Sequence, residues 1–400
     1  MKNGWQTKQL GEVCSLLSRG ISPTYLKEGG ICVINQKCIR DHRVSYGPSR
    51  RHDAQAKKVG SDRLVQSGDV LVNSTGTGTL GRVAQLRENP PESTTVDSHV
   101  TIVRPTVGKF YPDFFGYMLV VIEDAIKEAG EGCGGQTELA RSILAEKFSV
   151  HYPESLPEQQ RIVGILDEAF AGIATAKANA EKNLKNARAL FESHLQSVFN
   201  QRGEGWVEKT LEQIATTFGR GKSKHRPRNE KKLYGGKYPF IQTGDIRNAG
   251  HFITEYSQTY SEAGLAQSKL WPKGTICITI AANIAETGIL AFDACFPDSV
   301  IGVVANPREA DVGFVEYLLQ SFKVRLQAKG KGSAQANINM GTFENERFPF
   351  PSVTEQNRIV AKFDSLREET RRLESLYQHK LAALAELKKS LLHQAFTGQL

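Results

Sequence analysis

The sequence predicts an α+β chain in which one unit is written twice. Each unit is a globular domain followed by a long helix, and the two helices pair as an intramolecular antiparallel coiled coil with pseudo-two-fold repeat symmetry. Three observations carry this: an ordered internal repeat, a switch within each repeat from short apolar runs to unbroken helical periodicity, and an apolar seam along each helical stretch.

The repeat opens with Gly4-Trp5-Gln6-Thr7-Lys8-Gln9-Leu10, running to Arg19-Gly20-Ile21-Ser22, and returns as Gly205-Trp206-Val207-Glu208-Lys209-Thr210-Leu211, running to Arg220-Gly221-Lys222-Ser223. Further on, Gly68-Asp69-Val70-Leu71-Val72 matches Gly274-Thr275-Ile276-Cys277-Ile278, Asp97-Ser98 matches Asp298-Ser299, and Tyr117-Met118-Leu119 matches Tyr317-Leu318-Leu319. The helices open alike on Glu158-Gln159-Gln160-Arg161-Ile162-Val163 and Glu355-Gln356-Asn357-Arg358-Ile359-Val360. They also close alike, on Ser193-His194-Leu195 to Phe199 and Ser390-Leu391-Leu392 to Phe396. These landmarks divide the chain into a domain at 1–157, a helix at 158–200, a second domain at 201–354 and a second helix at 355–400.

Within the domains, Val70 to Val72 and Thr275 to Ile280 read as short strands after glycine turns, and Phe110 to Ala129 and Gly313 to Ala328 as amphipathic helices. The C-terminal stretch places Ile359, Phe363, Leu366, Leu373, Tyr377, Leu384, Leu387 and Leu391 on one seam. Its partner seam is Ile162, Leu166, Ala169, Ile173, Ala176, Ala180, Leu184, Ala187, Phe191, Leu195 and Val198, with small residues in the middle that admit close approach. A helix from Glu158 to Phe199 is about 63 Å long, too long for the core of a small domain. A homodimeric coiled coil is the alternative; two stripes in one chain, each behind a similar domain, favour pairing within the chain.

Composition narrows the function. The 400 residues are 40% hydrophobic, enough for two ordinary cores, and the net charge of +8 favours a polyanionic partner over a neutral one. The six cysteines (Cys14, Cys32, Cys38, Cys133, Cys277, Cys295) are scattered without metal-ligand spacing and read as buried free thiols. The N-terminus has no apolar signal core, and the longest apolar run, Met118 to Ile122, is too short for a membrane, so a cytoplasmic protein is expected.

Two stretches imitate catalytic motifs. Gly76-Thr77-Gly78-Thr79-Leu80-Gly81 spells a dinucleotide fingerprint, but Arg82 to Leu86 reads as a strand, so no helix N-terminus would meet a pyrophosphate. Its counterpart, Ala281 to Gly288, lacks two of the glycines. Asn89-Pro90-Pro91-Glu92 has Glu92 where an adenine methyltransferase needs an aromatic ring to stack on the flipped base. No phosphate-binding loop or metal-holding acidic pair is legible, and neither catalytic nor metal residues are expected. A self-contained methyltransferase or nuclease and a purely structural coiled-coil adaptor are the competing readings from other classes.

With its duplicated Gly-Trp-x-x-Lys-x-Leu openings, its Glu-Gln-x-Arg-Ile-Val helix starts and its closing Gln394-Ala395-Phe396-Thr397-Gly398, the chain resembles the specificity subunits of type I restriction-modification systems over essentially its whole length. A recognition subunit of another restriction or phage-defence methyltransferase is the nearest alternative. The resemblance implies two target-recognition domains, each reading half of a bipartite double-stranded DNA site. It implies helices that set the gap between half-sites and dock two methyltransferase subunits, to which restriction subunits add. It also implies a subunit that is not itself an enzyme, with no cofactor of its own: S-adenosylmethionine, ATP and Mg belong to the partners, which supply adenine methylation and ATP-dependent cleavage.

Within that architecture, the densest basic run is the second unit's loop bearing Arg220, Lys222, Lys224, His225, Arg226 and Arg228 and continuing to Lys231, Lys232 and Lys237. Glycine and proline make it a loop suited to clamp phosphates and read guanine edges. The first unit offers Arg19 and Ser22 at the equivalent turn, with Lys37, Arg40, His42, Arg43, Arg50, Arg51 and His52 as further cations. Side chains able to pair with bases cluster at Gln36, at Thr75 and Thr77, at Gln242, Thr243 and Asp245, and at Gln335 and Asn337. Capping of the local backbone is the competing role for each of these.

Overall fold

The computed structural model describes residues 4–130, 138–225, 227–281, 283–330, 338 and 340–400. The helices that organise the chain are α1 (Pro112–Val121), α2 (Leu156–Gln201), α3 (Val312–Gly330) and α4 (Val353–Phe396). The chain resolves into two compact units, residues 1–180 with 380–400 and residues 181–379, so that α2 and α4 each contribute to both.

In the first unit an antiparallel sheet runs in the order Cys14–Arg19, Val100–Pro105, Val70–Asn73, Val83–Gln85. Val70, Leu71 and Val72 are all buried because Val70 and Val72 face one apolar cluster and Leu71 another. A strand covered on both faces needs an unbroken apolar run, and this one starts from a glycine turn with Gly68 at φ +90°. A second sheet, ordered Thr94–Val96, Ile31–Ile34, Arg50–His52, Tyr25–Leu26, carries the loops beside it. The strand Trp5–Gln9 pairs with Ser149–Pro153 immediately before α2, so each domain is closed at the root of its helix.

The second unit repeats the plan. Its main sheet runs Ala215–Arg220, Val300–Ala305, Ile276–Thr279, Thr287–Leu290, Phe252–Ile253, and Val207–Lys209 pairs with Phe348–Phe350 ahead of α4. Ile276 and Ile278 face one cluster and Cys277 the other, again after a glycine at positive φ, Gly274.

Each unit holds an antiparallel pair of helical segments. In the first, Arg161 donates to the Leu400 carbonyl at 3.0 Å and the Lys388 ammonium lies over the Phe170 ring, so partner numbers fall as α2 advances. In the second, Phe199 stacks on Phe363 and Arg188 meets Glu374 at 3.1 Å, in the same sense. The expected α2 seam is buried or half-buried throughout. The α4 seam departs from expectation at Leu387, which is 47% exposed. The inward positions instead run Leu373, Tyr377, Leu381, Leu384, Lys388. Two successive steps of four keep pace with the 3.6-residue turn of a straight helix, which a strict heptad does not.

The expected helix over Phe110 to Ala129 is two helices, α1 and Glu123–Gly130, broken at Ile122 with φ −93° and ψ 5°. The break falls at the end of Val120-Val121-Ile122, three β-branched residues that crowd a helical turn. The second unit's α3 continues unbroken. The described cysteines are free, and all but the half-buried Cys14 are buried; Cys133 lies outside the described residues. Burial pushes the Cys14 thiol up to about 12. Among the described residues no helix is long and apolar enough to cross a membrane.

Candidate nucleic-acid interface

In the first unit the loop after Val70–Asn73 turns through Gly76, Gly78 and Gly81, all at positive φ, and leads into the strand Val83–Gln85 rather than a helix. The buried Asn73 donates to the carbonyls of Gln36 and Thr79, each at 3.1 Å, and the Thr79 hydroxyl donates to Gln36 Oε1 at 3.0 Å. Thr75 meets His99 Nδ1 at 2.6 Å. Arg19 reaches the same loop, pairing with Glu138 at 2.5 Å and donating to the Leu139 carbonyl at 2.7 Å, while Leu139 N donates to the Ser74 carbonyl at 2.8 Å. Arg19, Gln36 and Thr75 are therefore one assembly.

Ser22 is exposed at its margin, where its carbonyl accepts from Lys57 at 3.1 Å. Thr77 lies between Gly76 and Gly78 at the tip of the loop. Arg40 stands apart from this loop, exposed on the hairpin Ile39–Arg40/Arg43–Val44 beside a groove that also takes in Arg43, Lys177 and Lys388. His52, expected among the cations, is a core residue instead: its ring nitrogens bond Thr24 N at 3.0 Å and the Lys57 carbonyl at 2.8 Å, and it is wholly buried. Arg51 is committed to Glu92 at 2.6 Å, which also places the Asn-Pro-Pro-Glu stretch on the surface as a loop.

The second unit builds the equivalent loop with fewer glycines. Ala285 takes φ +61° where Gly81 has +80°, and the same closure forms: Ala285 N donates to the Thr279 carbonyl as Gly81 N donates to that of Asn73, both at 2.8 Å. Ile338 N then donates to the Ile280 carbonyl at 3.2 Å, as Leu139 does to Ser74.

The basic loop is a loop, as its glycine and proline require. Arg220 donates to the Asp298 carbonyl at 2.9 Å, and Arg228 grips the Asp298 carboxylate with distances of 2.9 and 2.8 Å. Asp298 is the repeat partner of Asp97, whose carboxyl burial holds above the usual range against a 3.0 Å bond from His99 N. His225 pairs with Glu230; bonds from Lys232 and His225 keep that carboxyl below its usual range. Lys222 and Lys224 point outward, exposed. Lys269, 3.6 Å over the Trp271 ring, is held below the usual lysine range by burial and by repulsion from Lys222. Among the described residues, positive charge is thus concentrated at Lys222 and Lys269 with no ion-pair partner, a condition that an anion relieves.

Gln242, Thr243 and Asp245 begin the short helix Thr243–Asn248; Asp245 accepts from Gln242 N at 2.8 Å and from Ser257 at 3.3 Å. The Asp245 carboxylate therefore caps the helix, and Gln242 and Thr243 are half-buried at its start. Arg226, Gln335 and Asn337 lie outside the described residues.

Residues that sequence reasoning passed over fasten each domain to its long helix. Gln159 and Gln356, both wholly buried, sit at the start of α2 and α4. Gln159 accepts from Tyr111 N at 2.8 Å and donates to the Pro153 carbonyl at 2.8 Å; Gln356 accepts from Asp311 N at 2.9 Å and donates to the Pro351 carbonyl at 2.9 Å. Tyr117 donates to Asp167, and Tyr317 to Asp364, each at 2.5 Å. The duplicated motifs were the available signal: each joins a domain to its long helix.

Comparison with known proteins bears on this geometry. The family described as type I restriction modification DNA specificity domain matches twice, over residues 2–186 and 203–380. The putative type I restriction enzyme MjaX specificity subunit of Methanocaldococcus jannaschii is 21% identical over 418 aligned positions, covering 99% of this chain and 93% of that protein. The EcoR124I/EcoR124II specificity subunit of Escherichia coli is 28% identical over 226 positions, 53% of each. A solved structure described as the basis of complex assembly and conformational transition of the type I R-M system shares the fold, with TM-score 0.81 and 18% identity over 100% of this chain and 99% of that one. The HsdS subunit from Thermoanaerobacter tengcongensis shares it at TM-score 0.65 and 19% identity, over 100% and 98% of the two chains.

Proposed function

The chain belongs to the type I restriction-modification DNA specificity family, as a specificity subunit with two tandem recognition domains and no catalysis of its own, and we propose that each domain reads one half of a bipartite double-stranded site through the loops described above. The domains are 1–157 and 201–354, and the helices 158–200 and 355–400 carry two methyltransferase subunits and, through them, restriction subunits. S-adenosylmethionine serves adenine methylation on the methyltransferase subunits, and ATP and Mg serve translocation and cleavage on the restriction subunits. The complex works in the cytoplasm, where the DNA is.

The observation that carries this reading is the double family match over 2–186 and 203–380, coincident with two units of one plan. The concentration of cations at Arg220, Lys222, Lys224 and Lys269 supports a phosphate-holding role for the basic loop, because charge neutralisation of phosphates supplies most of the sequence-independent affinity. Arg19, Ser22, Gln36, Arg40, Thr75 and Thr77 serve the first half-site; Arg226, Arg228, Gln242, Thr243, Gln335 and Asn337 serve the second, with His225 and Asp245 ordering their loops.

The test uses the chain assembled with its methyltransferase subunits. Changing Arg220, Lys222 and Lys224 together to Ala lowers affinity for all DNA sequences and flattens the salt dependence by about one unit of slope for each phosphate no longer neutralised. An unchanged slope makes the loop a solvated surface.

A further inference from the structure

In each unit, the segment bearing candidate base contacts ends in a turn whose histidine is fastened to a glutamate of the helical layer behind it. In the second unit, the helix Thr243–Asn248 runs into Gly250 and His251. His251, 4% exposed, donates from Nδ1 to Glu316 Oε2 at 2.6 Å, and Glu316 is wholly buried. The other carboxylate oxygen accepts from Thr287 at 2.8 Å and from Gln320 at 2.5 Å. The imidazole stacks on Tyr317, with centroids 4.6 Å apart and planes 13° apart. Tyr317 in turn donates to Asp364 on α4, and Arg367 of α4 lies over Tyr317 and donates to the Gly250 carbonyl.

The first unit reaches the same result by another route. The hairpin after Gln36 turns at Asp41 and His42, both left-handed at φ 51° and 59°. His42 Nε2 lies 3.2 Å from Glu123 Oε2, while Glu123 also accepts from Val83 N at 3.0 Å and pairs with Lys127 at 2.6 Å. Burial raises the Glu123 carboxyl, but the bonds from His42 and Lys127 outweigh it and hold the group below its usual range. Lys388 of α4 approaches His42 Nδ1 at 3.5 Å.

The histidines occupy corresponding places, after Ile39-Arg40 and Ile246-Arg247 and before Arg43-Val44 and Phe252-Ile253. The glutamates do not correspond: Glu123 follows Tyr117, whereas Glu316 precedes Tyr317. Copying of the repeat alone does not account for a pair rebuilt from a different position. Beside each turn the surface opens into a groove, about 1150 Å3 along Arg40, Asp41 and His42 in the first unit and about 910 Å3 along Asp245, His251 and Arg371 in the second. On that open side the turn is fastened by the histidine–glutamate pair and, in the second unit, also by the Arg367 bond to the Gly250 carbonyl.

We infer that His42 and His251 are positioning residues for half-site recognition, His42 fixing Arg40 and His251 fixing Gln242 and Thr243 in the orientation from which bases are read. The inference rests on the reading of those residues as DNA contacts. A loosened turn leaves the phosphate-holding loops in place, so sequence discrimination falls while charge-driven binding stays.

The test compares binding of the assembled complex to DNAs substituted in one half-site or the other. His251→Phe keeps the stack on Tyr317 and removes the donor; His251→Phe with Glu316→Leu removes the pair without stranding a buried carboxylate. With either, discrimination against substitutions in one half-site drops by roughly ten-fold, the order of one good base contact, while the other half-site and the salt slope keep their values. His42→Ala does the same for the opposite half-site. Intact discrimination in the folded double variant, or equal loss at both half-sites, overturns the assignment. Gln242→Ala and Thr243→Ala test the underlying reading separately: if both leave discrimination whole, those residues are not base contacts, and the latch is still judged on its own variants.

Discussion

At the scale of single residues, a buried amide does what a buried apolar side chain of the same size cannot. Gln356 has no exposure and satisfies the Asp311 amide and the carbonyls of Pro351 and Glu309 at once. Gln356→Leu preserves volume but strands those backbone groups away from water, and each stranded group costs about 1–3 kcal/mol. The expected outcome is a clear fall in the urea midpoint, with the same from Gln159→Leu in the first unit. The neighbouring pair Glu355–Arg358 has distances of 2.7 Å but lies on the surface, where solvent screening removes most of its worth, so Arg358→Ala leaves the midpoint nearly unchanged. If the two substitutions moved the midpoint equally, the motif would be an electrostatic helix start and not a fastening. The same contrast explains why the histidine latches were not legible: His251 and Glu316 are 65 residues apart, and nothing in either local pattern announces the other.

At the scale of elements, apolar runs after glycine turns marked the central strands of both sheets, because a strand buried on two faces has no other composition available to it. The split of the first unit's helix at Ile122 was hidden by continuous apolar content, and the outward turn of Leu387 by a heptad that a straight helix does not keep. The basic loop was legible as a charge run, but the commitment of Arg228 to Asp298 was not, since Asp298 arrives from a distant strand end. The glycines after Arg19 and Arg220 show what fixes these loops. A Cβ on Gly20 would stand 2.0 Å from the Val96 carbonyl oxygen, and one on Gly221 2.3 Å from that of Phe296, so the arginine-bearing strand is pressed backbone to backbone on its neighbour. Gly221→Ala must push the two apart, displacing Arg220 and the loop that follows. The expected result is weaker DNA binding together with lower stability, read by titration and by thermal unfolding; Gly219→Ala, where a Cβ meets nothing within 4 Å, serves as the silent control. Equal behaviour of the two variants would show that close approach does not set the loop.

At the scale of the molecule, both divisions between the compact units fall inside the long helices, at Ala180/Glu181 in α2 and at His379/Lys380 in α4. Two unbroken helices therefore make both chain connections between the units, and a helix changes length in fixed increments. Seven residues inserted into each at facing positions keep both apolar seams within about 20° of their phase and add about 10 Å to each connection. If the helices set the gap between half-sites, as proposed, the gap in the methylated motif grows by up to about three base pairs at 3.4 Å per pair, with both half-site sequences unchanged. The added rotation around the duplex lowers the rate as well, so the motif itself, read by methylome sequencing of a host carrying the variant and its partners, is the measurement to make. Insertion into α2 alone puts the small residues Ala176, Ala180 and Ala187 out of step with α4 and blurs recognition or abolishes it. A matched insertion that returned the original spacing at full occupancy would leave the helices as docking surfaces only, with the gap set elsewhere in the complex.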